Sequence, residues 1–92
     1  MTDIKDVLEE RANTHGDFID VAEVAQQLKQ TMRSAAPYTR PHSDLLNTQA
    51  EALDMIASKI ARILVGDQYE PDHWLDIEGY ARLARESINT DG

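Results

Sequence analysis

Three short stretches that a helix does not run through divide this chain: "HGD" at residues 15–17, "PYTRP" at 37–41 and "GDQYEP" at 66–71. Glycine accepts the left-handed backbone that often ends a helix; proline blocks continuation and biases its predecessor towards extended backbone. Between the breaks apolar residues recur at helical spacing, and no alternating run of strand length is present. Short connections favour antiparallel neighbours. The expected architecture is therefore an all-α antiparallel bundle of four main helices, one domain over residues 1–92, with a proline-containing loop at about 35–42. A chain of this length builds only a modest core, and self-association is expected to extend it.

The first helix is predicted from about Asp3 to Thr14, with Thr2 as N-cap and Ile4, Val7 and Leu8 on its apolar side. Asp17 is placed to cap the second, which reaches about Ser34 and carries Phe18, Val21, Ala25, Leu28 and Met32 as its stripe. Ser43 reads as the N-cap of the longest helix, ending at about Val65 before Gly66. Its apolar band is Leu46, Leu53, Ile56, Ala57, Ile60, Ile63 and Leu64, and Met55 opposite hints at a second packing surface. Asp72 is expected to cap the last helix, with Trp74, Ile77, Tyr80, Ala81, Ala84 and Ile88 facing inward. Tyr38, Arg40 and His42 sit in the proline loop, which is either a plain connector or a flap over a ligand.

Charge narrows the function classes. Acidic residues number 17 against 9 basic ones, a formal net charge of −8. This disfavours direct nucleic-acid or anionic-membrane binding, since both require a basic surface. Gathering a cation, imitating a polyanion and simple solubility remain open. The absence of cysteine excludes disulfides and thiolate metal sites. No apolar run approaches a membrane span and the start is charged from the third residue, so a soluble cytoplasmic protein is expected.

Two places carry carboxylates at ligand spacing. Asp72 and Asp76 are four apart, with Gly79 and Leu83 continuing the same line at the edge of the apolar stripe. The missing side chain of Gly79 lets a ligand or another helix approach closely. Glu51 and Asp54, three apart on the long helix, form the second pair. Facing helices bearing such pairs build hard-cation sites, and Mg²⁺ is the cation they suit. The structural alternative is that Asp72 is a cap, Asp76 answers the helix dipole, and Glu51 and Asp54 are solvated. Lys59 and Arg62 share a turn and either hold phosphate oxygens or form salt bridges with Asp76, Asp72 or Asp17. At the first break, His15 and Asp17 either stand over one end of the bundle as a binding pair or simply turn the corner. His42 and His73 read as isolated.

The segments "ERANTHGDF", "EALDMIASKIARIL" and "DHWLDIEGYARLA", in that order, resemble a family of small phage-encoded proteins. Members of that family are often described as similar to MazG-like nucleotide pyrophosphohydrolases. Those enzymes are all-α oligomers in which E-x-x-E and E-x-x-D pairs hold Mg²⁺ while a nucleoside triphosphate is cut to monophosphate and pyrophosphate. Here Glu51-x-x-Asp54 has the E-x-x-D form, and Asp72 and Asp76, four apart, stand where no E-x-x-E is present. The resemblance implies Mg²⁺ at Glu51, Asp54, Asp72 and Asp76, catalysis by Asp76, Asp72 and Lys59, and substrate held by Arg62, His15 and Asp17. It further implies the cytoplasm of the phage host as the place of action. The alternative is a non-catalytic acidic phage protein that binds or inhibits a host protein, as a nucleic-acid mimic.

Overall fold

A computed structural model describes the backbone of residues 4–35 and 47–91, with side chains through residue 88. Those residues form four α-helices and no strand: α1 (Ile4–His15), α2 (Phe18–Ser34), α3 (Asn47–Val65) and α4 (Pro71–Asp91). The bounds of α1 and α2, the end of α3 and the breaks at Gly16 and Gly66 match the sequence expectation to within a residue or so, whereas α4 begins at Pro71, two residues before the start expected after Asp72. Thr2, Ser43, Leu46 and the proline loop with Tyr38, Arg40 and His42 lie outside the described residues. Among the described residues, no helix is long and apolar enough to cross a membrane.

Helix α3 is central. It packs along α4 on one side and α2 on the other, whereas α1 touches α2 and α3 only lightly. The core is built largely from small side chains: Val21 and Ala25 of α2 close on Ala61 of α3, with Val24 and Val65 against them. At about 100° per residue, Ala57 and Ala61 share one side of α3, while Ala52, Lys59 and Ile63 share another; all five are buried. Between these two sides lie Leu53, Ile60 and Leu64, which are exposed at 40%, 36% and 68%. The single broad band expected from the sequence is thus corrected. Weighting by side-chain size selects the leucines, but alanines let two neighbouring helices approach and take the burial. Met55 is half-buried.

The turn into α4 is held by Asp67. Its carboxylate accepts the Tyr69 amide at 2.9 Å, and its carbonyl accepts the Glu70 amide at 3.2 Å. Aspartate bonding backbone two residues on is a recurrent turn device. Pro71 then opens α4, where its missing N–H is no loss and its fixed φ suits the first helical position. Asp72 consequently lies inside the first turn rather than at the cap. Asp17 does stand at the N-cap of α2, with extended backbone, but its side chain makes no cap hydrogen bond.

The inner face of α4 also differs from expectation. His73 is its buried residue, at 1% exposure, while Ile77, Tyr80 and Ala84 are half-buried. Trp74 is 56% exposed and donates its indole N–H to the Gln68 carbonyl at 3.1 Å; Ala81 and Ile88 also face outward. Hydrophobicity favoured the tryptophan, but a histidine ring with its nitrogen satisfied is as acceptable inside as an apolar group.

Candidate functional site

The first break folds onto the second. Gly16 takes φ 88°, a conformation that costs glycine little, and its amide closes α1 on the Ala12 carbonyl at 2.9 Å. One residue earlier, the Thr14 carbonyl accepts the Asp67 amide at 3.0 Å and contacts His73 Nε2 at 3.2 Å. Since a carbonyl only accepts, this contact is a hydrogen bond in the tautomer with the proton on Nε2. The end of α1, the end of α3 and the start of α4 are joined at this one peptide group.

His15 sits inside that junction. Its ring lies 4.9 Å from the His73 ring, tilted by 58°. Its Nδ1 is buried and finds no hydrogen-bond partner among the described residues. Burial, and then the nearby His73, Arg62, Lys59 and Arg11, hold its pKa below the usual imidazole value. Each of those influences penalises the imidazolium form.

Beside the junction is a cavity of about 560 Å³. Arg11, His15, Asp17 and Arg62 give it polar groups, and Leu8, Phe18 and Val21 give it an apolar wall. The start of α2 also borders it, so first-turn amides that the Asp17 side chain does not cap lie at its edge. Three of the residues expected to bind substrate, His15, Asp17 and Arg62, therefore come together. In a chain of net charge −8, two guanidinium-bearing residues in one small cavity are a local reversal of sign. Guanidinium groups and free helix amides are the groups that proteins use to hold phosphate. Arg11 was missed at the sequence level, though it lies one helical turn before His15 and so shares its face.

The other expected site residues are placed elsewhere. Lys59 is buried and its Nζ lies 3.0 Å from Asp76 Oδ2, the ion pair that joins α3 to α4. Asp72 and Glu51 are exposed and Asp54 is half-buried. Among the described residues no group of three or more histidine or carboxylate side chains could hold a metal ion. Glu51, Asp54, Asp72 and Asp76 thus do not gather into one such group. His73, read from the sequence as isolated, is instead the buried pin of the junction.

Comparison with curated proteins and with solved structures gave no match. One family model matches residues 2–88, nearly the whole chain, and is described as a domain of unknown function, DUF6378. The chain belongs to this DUF6378 family.

Proposed function

We propose that the Arg11–His15–Arg62 cavity takes the phosphates of a nucleotide, and that the protein is a nucleoside triphosphate pyrophosphohydrolase of MazG-like type. The observation that carries this reading is the joint placement of two arginines, a histidine and the start of α2 around one cavity in an otherwise acidic chain. Arg62 and Arg11 would meet phosphate oxygens through their planar forks. Phe18, 79% exposed at the rim, offers a face on which a base can stack. Asp17 would accept a hydrogen bond from a sugar hydroxyl or an attacking water.

Among the described residues the four carboxylates do not gather into one group of three or more. Mg²⁺ is commonly held by one or two carboxylates together with substrate phosphates, so on this reading the cation arrives with the nucleotide. The helices are antiparallel neighbours, supported by the Lys59–Asp76 pair reaching across the short α3–α4 turn, and the chain self-associates. Its motifs resemble those of phage-encoded proteins, which act in the host cytoplasm.

The test is pyrophosphate release from a panel of nucleoside triphosphates, with and without Mg²⁺. The reading expects Mg²⁺-dependent turnover that Arg62→Met lowers by about tenfold or more. Absence of turnover with every nucleotide would remove the enzymatic part. A host protein recovered on the acidic surface would then favour the mimic.

A further inference from the structure

The stretch "LDIEGYARL", residues 75–83, is self-complementary about its middle residue. Leu75 and Leu83 stand four residues either side of Gly79; Asp76 and Arg82 stand three either side. At about 100° per residue, all five fall on one face of α4 centred on the glycine. That face is open. Leu75 is 62% and Leu83 57% exposed, and a Cβ built on Gly79 would meet nothing within 4 Å. A shallow groove of about 440 Å³ runs over these residues. Among the described residues nothing explains a glycine in the middle of an exposed helix, where it weakens the helix relative to alanine.

We infer that this face of α4 docks on the same face of a second copy, antiparallel, with the two helices crossing at Gly79. In an antiparallel crossing, each position meets the one equally far on the other side of the centre. Leu75 therefore packs on Leu83 of the other copy, and Asp76 faces Arg82, each contact occurring twice by the two-fold symmetry. Asp76 engages Lys59 through Oδ2 and is 44% exposed, and Arg82 is held in its own chain by exposed Glu86 at 2.9 Å. Both can therefore add a partner at the crossing. A parallel pairing would set Asp76 against Asp76 and Arg82 against Arg82, placing like charges together.

No residue lining the arginine cavity takes part, so this interface stands or falls separately from the nucleotide reading.

The chain has no cysteine, so single-cysteine variants give a clean test. Leu75→Cys and Leu83→Cys, each at an exposed position, are oxidised alone and as a mixture. The antiparallel crossing expects a disulfide-linked dimer from the mixture and little from either variant alone. Self-linking of Leu75→Cys would mean a parallel arrangement and would overturn the proposal. Sedimentation equilibrium supplies the second arm. Gly79→Leu, which the open face accommodates without refolding, is expected to weaken association by about a hundredfold and Arg82→Glu by about tenfold. A monomeric wild type at high micromolar concentration, or association untouched by Gly79→Leu, would equally overturn it.

Discussion

Gly16 and Gly66 meet backbone to backbone: a Cβ on Gly66 would stand 2.5 Å from the Gly16 amide nitrogen and 2.8 Å from the Arg62 carbonyl oxygen. All of these are main-chain atoms, so no rotamer change relieves the overlap. Gly66→Ala is expected to destabilise the fold by about 2–3 kcal/mol, in the range of an overpacked core. Gly16→Ala should do at least as much, because its φ of 88° adds strain to the clash. Urea unfolding followed by circular dichroism reads both. Gly79→Ala, measured at a concentration low enough to keep the chain monomeric, should gain up to about 1 kcal/mol instead.

The corrected face of α4 gives a second contrast. His73 is 1% exposed and bonded to Thr14, whereas its neighbour Trp74 is 56% exposed. His73→Ala should cost about 2–4 kcal/mol through lost packing and a lost hydrogen bond. Trp74→Ala, although it removes the larger ring, should cost about 1 kcal/mol or less. The reverse order in chemical denaturation would restore the face expected from hydrophobicity.

For the Lys59–Asp76 pair the two partners differ in burial, with side-chain exposures of 11% and 44%. Removing the exposed carboxylate leaves a buried ammonium without its counter-charge, whereas replacing the lysine by an apolar chain leaves only a half-solvated carboxylate. Asp76→Asn should therefore cost about 1–2 kcal/mol, and Lys59→Met should be within about 0.5 kcal/mol of neutral. Equal losses from both substitutions would contradict this asymmetry.

Much of this was legible in the sequence, and the gaps have physical causes. Gly16 and Gly66 ended their helices as expected because glycine's conformational freedom is a local property. His15, Asp17 and Arg62, grouped from the sequence, do line one cavity, and two of them belong to a break that had to turn. Ile77, Tyr80 and Ala84 were legible on the inward side of α4, but His73 beside them was not, because it is acceptable inside only once the Thr14 carbonyl, 59 residues earlier, is there to satisfy it. The exposure of Leu53 and Leu64 escaped for the same reason, since α2 and α4 divide α3 between them. For Asp76 the sequence left metal-ligand spacing and a salt bridge with Lys59 both open; the ion pair is present, and spacing along one helix could not select it because the packing of α3 on α4 does.

A pH dependence follows from His15, whose pKa is lowered chiefly by burial. Below about pH 6.5, the ordinary imidazole value, the unfolded chain binds a proton that the folded one resists. Stability contributed by the neutral ring is thus fully present above that pH and declines as pH falls towards the folded-state value. Urea midpoints between pH 8 and pH 5 should show this slope in the wild type and a flatter one in His15→Gln. An unchanged slope in the variant would assign the acid sensitivity to other groups.

The account's central claim is that the cavity between α1, α2 and α3 holds the phosphates of a nucleotide. Isothermal titration calorimetry of a nucleoside triphosphate into the wild type, Arg62→Met and Arg11→Met, each with unchanged helical circular dichroism, addresses it directly. The prediction is saturable binding by the wild type that weakens at least tenfold in each variant, as expected when a charge-assisted phosphate contact is lost. Binding of equal strength in all three proteins, or no binding of any nucleoside triphosphate at millimolar concentration, would contradict it.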